Sequence, residues 1–181
     1  MTAIGIVSDI QSKSILLLTL GLDTDSQNLF QSLRDKHYPP ALNIVPAHVS
    51  LFHNLPGAEL SRLEQDILAE LPNASFEMRV SKLHFMGKGF FFYLESEALL
   101  ALHRELCVRW DQWLIPQDRQ RYKPHIVVQN KTAAVRARAD FAHMEAEFEP
   151  FTVRAESLLL WQYLNGPWRL ERVFTFGEKL L

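Results

Sequence analysis

The chain has 181 residues, 48% of them apolar and 22% charged, an ordinary globular composition with room for one sizeable core or two small fused lobes. A formal net charge of −2 excludes an overall basic field of the kind that holds long nucleic acids, but not a small phosphate-bearing ligand or the end of an RNA. The single cysteine, Cys107, cannot form an internal disulfide, and its helical surroundings read as those of a buried structural thiol in a reducing compartment.

Taken in chain order, residues 13–20 (KSILLLTL) predict a buried strand stopped by Gly21. This run is far too short to span a bilayer. Asp9 precedes it, and neither a basic opening segment nor a small-residue cleavage site stands out. The expectation is a cytoplasmic monomer with no membrane association. Asp23, Thr24, Asp25 and Ser26 supply N-cap chemistry for a helix that turns Leu29, Phe30 and Leu33 inward and runs to about Lys36, before Pro39 and Pro40. Residues 46–53 predict a strand that closes at Asn54-Leu55-Pro56-Gly57. A helix over 58–71 follows, with Leu60, Leu63, Ile67, Leu68 and Leu71 at helical spacing. Pro72 and Asn73 break it. Residues 75–85 and 90–94 then form a hairpin around Met86-Gly87-Lys88-Gly89.

From Glu97 the pattern is helical again, with Leu99, Leu102, Leu106, Trp110 and Trp113 facing a core until Ile115 and Pro116. A polar, basic loop over 117–123 feeds a second short apolar strand, 124–129. Residues 132–148 read as an alanine-rich helix and 149–164 as a long strand. Asn165-Gly166-Pro167 turns the chain into a closing antiparallel strand, 168–176.

This order repeats itself. Strand, helix, strand, helix, strand describes residues 13–86 and again 89–162, and Phe76, Arg79 and Leu83 recur at identical spacing as Phe151, Arg154 and Leu158. The expected fold is a single bilobal α+β domain over 1–181. Its antiparallel sheets are pseudo-duplicated, with helices on the outer faces and a central cleft.

Each half contains a strand with a histidine at its entrance: Pro46-Ala47-His48-Val49-Ser50-Leu51-Phe52-His53 and Pro124-His125-Ile126-Val127-Val128-Gln129. Side chains alternate across a strand, so His48, Ser50 and Phe52 share one face, and His125, Val127 and Gln129 share another. Two strands side by side would make these histidines a general acid and base pair. An imidazole suits either role because its unperturbed pKa, about 6.5, lies near neutrality.

These two segments, the flanking Tyr122-Lys123 and Asn130-Lys131, and Gly166-Pro167-Trp168 before the last strand resemble the two-histidine phosphoesterase superfamily, in its 2′-5′ RNA ligase-like or cyclic phosphodiesterase branch. That family carries two copies of His-x-(Thr/Ser)-x. The resemblance implies metal-independent opening of a 2′,3′-cyclic phosphate on an RNA end or small nucleotide, or the reverse ligation, with no cofactor. It makes His48 and His125 the catalytic pair, in an order the sequence leaves open, and Ser50 a donor to the phosphate oxygens. The second copy departs from the pattern: Val127 stands where a hydroxyl is expected. A weakened enzyme that only binds nucleotides is therefore the competing reading, with Gln129, Lys123 or Lys131 as substitutes for the missing contact.

Tyr122 and Lys123 are further phosphate-binding candidates, and Phe52, Phe85 and Trp168 candidates for stacking a base, with Phe90, Phe92 and Tyr93 in the same aromatic set. His53 falls on the opposite face by strand count. His84 and His103 read as surface or structural residues, and Arg79 and Arg154 as mirrored structural ones. No carboxylate or cysteine stands at ligand-like spacing from the histidines, so no metal is expected.

Overall fold

A computed structural model describes residues 14–178; Lys13 of the first predicted strand, and the opening segment read for targeting, lie outside them. The elements are β1 (Ile15–Leu22), α1 (Thr24–His37), β2 (Val49–Pro56), α2 (Leu60–Glu70), β3 (Phe76–Phe85), β4 (Phe90–Glu95), α3 (Glu97–Trp110), β5 (His125–Gln129), α4 (Ala134–Ala146), β6 (Phe151–Tyr163) and β7 (Trp168–Thr175). Each matches a predicted element to within a few residues at its ends. The largest shift is in the first histidine strand, which starts after His48 and continues through Pro56 because its outer end pairs with Ile15 and Leu16.

All strand pairs are antiparallel, in the order β1-β2-β5-β4-β3-β6-β7, and β1 also pairs with β6. Six strands therefore close into a ring, with β7 alongside β6. The pairings obey a twofold relation. β1–β2 matches β4–β5, and β3–β4 matches β6–β1, so each half completes its sheet with a strand of the other. The β3–β6 register is centred on Met78↔Val153, and its ends, Phe76↔Ala155 and Val80↔Phe151, mirror one another. Val49↔Ile126 is the equivalent point of the β2–β5 contact.

Helices pack on the outer face of the ring. Asp23 caps α1 by accepting from the amides of Asp25 and Ser26, as its position in the sequence suggests. The inward stripe of α1 is Ser26, Phe30, Arg34 and His37, and Leu29 stays 43% exposed. Leu29 lies about 100° around the helix from Phe30 and falls outside this stripe. The α2 and α3 helices bury Leu63, Ile67, Leu99, Leu102, Leu106 and Trp110, and the Trp110 indole donates to buried Asp66 at 3.1 Å. The inner face of the ring forms the cleft. Along β4 and β5 the outward residues Phe90, Phe92, Ile126 and Val128 are buried, while Phe91, Tyr93, His125 and Val127 are half-exposed.

Gly89 marks a close approach between the hairpin turn and the end of β5. A Cβ there would sit 1.9 Å from the Gln129 carbonyl oxygen and 2.7 Å from the Asn130 Cα, both backbone atoms that cannot rotate away. Gly89→Ala should lose about 2–3 kcal/mol of stability in urea unfolding; a loss below about 0.5 kcal/mol would show that the turn relaxes freely.

Candidate active site

Val49 and Ile126 face each other where β2 and β5 meet. Continuing that antiparallel register by one residue sets Ser50 against His125 and Val127 against His48. Four side chains thus form a two-by-two array on the cleft face, with directly opposed positions about 5 Å apart. Both histidines are anchored in the same manner. His48 Nδ1 lies 2.6 Å from the Pro46 carbonyl and His125 Nδ1 lies 2.8 Å from the Lys123 carbonyl, each two residues upstream. A carbonyl only accepts, so Nδ1 carries the hydrogen in both rings and Nε2 is left to exchange protons. Neither Nε2 nor the Ser50 hydroxyl has a hydrogen-bond partner among the described residues.

The array is not electrostatically symmetric. Burial pushes His48 down to about 4, against the opposing pull of the Pro46 carbonyl, and the charges of Arg34, His53 and His125 push it further. The ring still reaches solvent, as expected at the floor of a cleft rather than inside a core. Arg34 was not foreseen from the sequence. It is 5% exposed, donates from Nε to Asn43 Oδ1 at 2.6 Å and from an Nη to the Val127 carbonyl at 2.8 Å, and lies over the Tyr38 ring. No carboxylate forms an ion pair with it among the described residues. A buried cation without a direct ion pair, its nearest opposing charge being Asp35 across Asn43, therefore stands behind β5.

Four candidate residues lie elsewhere than expected. Phe52 and Gln129 leave the cleft because each strand carries a bulge just beyond its array residues. Leu18 pairs with Phe52 and Thr19 with Ser50, and in the same way Phe90 pairs with Gln129 and Phe91 with Val127, so Leu51 and Val128 are extra residues. An extra residue reverses the alternation. Phe52, fully buried, stacks at 4.7 Å on His103 of α3, and Gln129, also fully buried, donates to Asp140 of α4 at 2.6 Å. Tyr122 turns away from the histidine array. Its ring stacks on the other side of His103 at 3.9 Å, its hydroxyl donates to the Ser50 carbonyl at 3.0 Å, and burial pushes its phenol up. Phe85 packs against Phe141 and Arg138 of α4.

Trp168 is on the cleft-facing side, opposite Tyr163 at the far end of the β6–β7 hairpin, with ring centroids 4.9 Å apart. That is four residues along β1 from Thr19, or roughly 13 Å. The aromatic side chains nearest the array are Phe91, whose ring is 4.7 Å from that of His125, and Tyr93, which pairs with His125. Phe91 was missed because neighbouring Phe90 and Phe92 carry the same chemistry, and only register decides between them. His84 joins this wall beside Phe91. On the other side Thr19 lies opposite Ser50 and accepts from the Trp161 indole at 2.9 Å.

His53 is held by Asp118, which accepts from its backbone amide at 3.1 Å and pairs with its Nδ1 at 2.8 Å. Among the described residues no three His, Cys, Asp or Glu side chains gather as a metal site. Cys107 is half-buried, 3.5 Å from His103 Nδ1, and burial pushes its thiol up to about 11.

His103, between Phe52 and Tyr122, is likewise pushed down by burial to about 4. For both His48 and His103 the unfolded chain takes up a proton near pH 6.5 and the folded chain only near 4. Stability is therefore full above about pH 6.5 and is lost as pH falls toward 4. His103→Phe, which keeps the stack, should remove on the order of 2 kcal/mol of that loss between pH 7 and 4.5 in urea titrations. An unchanged slope would mean that His103 titrates equally in both states.

A family model of the 2′-5′ RNA ligase superfamily matches residues 22–167. Among solved structures, TT0787 of Thermus thermophilus superposes with a TM-score of 0.64 at 18% identity, covering 92% of this chain and 100% of that one. LigT of E. coli complexed with 3′-AMP superposes with a TM-score of 0.60 at 14% identity, covering 91% of this chain and 99% of that one. A structure described only as a phosphoesterase gives 0.60 at 12% identity, with 91% and 99% covered. No curated protein sequence matches significantly. At these identities the structures establish the fold, and the family model, matched over most of the chain with both histidine strands inside it, establishes that the protein belongs to the 2′-5′ RNA ligase superfamily of two-histidine phosphoesterases.

Proposed function

We propose that this protein, one bilobal domain acting as a cytoplasmic monomer, opens 2′,3′-cyclic phosphates on RNA ends or small nucleotides by metal-independent acid–base catalysis. The observation that carries the proposal is the shared anchoring of both histidines. Each Nδ1 is tied to a carbonyl two residues upstream, which leaves Nε2 of each ring to exchange protons, and the β2–β5 register sets both histidines and Ser50 on one face of the sheet. The names of similar structures, LigT with 3′-AMP among them, support a nucleotide in that cleft.

His48, held neutral by its surroundings, is the base and His125 the acid. His48 Nε2 takes a proton from water as the water oxygen bonds to phosphorus. The bond from phosphorus to one ribose oxygen breaks, and His125 Nε2–H gives that oxygen its proton. Ser50 donates to a non-bridging oxygen where charge builds. An arriving anionic phosphate raises the His48 pKa toward the working range, which offsets the weakness of so unbasic an imidazole. With the 5′-hydroxyl of a second RNA end in place of water, the same two proton transfers open the ring at its 3′ oxygen and join the ends through a 2′-5′ link.

Val127 favours a second reading, a cleft that binds nucleotides with little turnover. It occupies the position that mirrors Ser50, and it packs opposite Phe91, a β-branched and aromatic pair that suits a wall more than a phosphate.

In EDTA, a 2′,3′-cyclic nucleotide should be hydrolysed, and His48→Ala or His125→Ala should each lower kcat by about 10²–10⁴. On the acid side kcat/KM should hold until the pH approaches 4, where His48 protonates, and then fall. Val127→Thr should raise the rate about tenfold or more, part of the usual worth of one donor. Full activity in both alanine variants would sink the two-histidine scheme, whereas no turnover by the parent with recovery in Val127→Thr would establish the binding reading.

A further inference from the structure

Next to His125, a groove of about 450 Å³ runs along β4 between β3 and the residue 121–124 loop. Its near end is a row across three strands. His125 pairs with Tyr93, and Tyr93 pairs with Lys82, whose ammonium lies 5.1 Å from the Tyr93 ring centroid. Two strand spacings separate Lys82 from His125, roughly 10 Å, which places it beside the next unit of a ligand rather than at the reacting phosphate. Arg121 and Lys123 form the opposite wall. None of these three cations is in an ion pair among the described residues.

Two further features suit an anion. Ser81, the extra residue of a bulge in β3, lines the groove with its hydroxyl oxygen buried and without a hydrogen-bond partner among the described residues. The groove also reaches the N-terminus of α3, a 14-residue helix, where Ser96 caps the Leu99 amide and the Glu97 and Ala98 amides have no partner among the described residues. Two carboxylates, Glu95 and Glu97, border the same groove. Glu95 lies in the next row, with Arg79 opposite it on β3, and Glu97 opens α3. The cations at the groove, with Arg79 beside it, outnumber them.

We infer that this groove is a second anion subsite, built for a phosphate one unit along from the one that the histidines address. The inference rests on the phosphoesterase reading for the identity of the first phosphate. The second can be the 5′-phosphate of a mononucleotide or the internucleotide phosphate of an RNA end, and both present the same monoanionic or dianionic oxygens to Lys82, Arg121 and Lys123.

Three substrates separate these sources: cytidine 2′,3′-cyclic phosphate, its 5′-phosphorylated form, and a dinucleotide ending in the same cyclic phosphate. The parent protein should show a kcat/KM roughly tenfold higher for at least one phosphate-bearing form, and the one preferred identifies the source. Raised salt should shrink that preference. The double variant Lys82→Ala/Arg121→Ala should bring the ratio close to one, while Lys88→Ala, a lysine in the hairpin turn outside the groove, should keep it. Equal kcat/KM on all three substrates, or a preference that survives the double variant, would overturn the subsite and leave the phosphoesterase reading intact. If none of the three is turned over, the phosphoesterase reading fails and calorimetry decides the subsite. Roughly tenfold tighter binding of adenosine 3′,5′-bisphosphate than of 3′-AMP supports it, and equal affinities overturn it.

Discussion

The site depends on one narrow contact, the meeting of β2 and β5 at Val49 and Ile126. Both residues are fully buried, and the pairing extends little further, because β2's edge is then taken over by the loop after α3. Tyr122 bonds the Ser50 carbonyl and Asp118 the His53 amide, so backbone groups that β5 would otherwise satisfy are met by side chains. A short contact alone would be a weak hinge. The ring prevents that: β1–β6 and β3–β6 pairing closes the sheet on the far side, and each half donates a strand to the other. The histidines are thus fixed by closure of the whole sheet rather than by contacts between themselves.

Within that frame the two halves have diverged. One side of the array keeps hydroxyls, Ser50 opposite Thr19, with Trp161 bonded to the latter. The other is apolar, Val127 opposite Phe91, and Phe91 braces the His125 ring. The buried Arg34 adds a positive charge behind β5 that discourages protonation of His48. A symmetric fold carrying an asymmetric field sets two chemically identical imidazoles in different surroundings, which the proposed acid–base scheme requires.

Much of this was legible in the sequence. Helical spacing and turn residues located every described strand and helix, and the duplicated order brought His48 and His125 together from the residues alone. Alternation then failed at Phe52 and Gln129, because counting by twos cannot register the extra residues Leu51 and Val128. That both bulges fall at equivalent positions makes them part of the repeated design. Arg34 was hidden for another reason: arginine on an amphipathic helix normally faces solvent, and its burial depends on Asn43, Tyr38 and the Val127 carbonyl, all brought to it by tertiary structure. Tyr122 was misplaced because its neighbour in the chain is Lys123, whereas its neighbour in space is His103.

The most direct test of the central claim, that two anchored imidazoles act together on one phosphate, is a nitrogen-15 NMR titration of the histidine rings with a 3′-nucleotide. Whenever neutral, both His48 and His125 should be the Nδ1–H tautomer, and both Nε2 signals should move together as the nucleotide binds, His48 gaining a proton at higher pH than before. Signals that move at only one ring, or an Nε2–H tautomer at either histidine in the free protein, would contradict it.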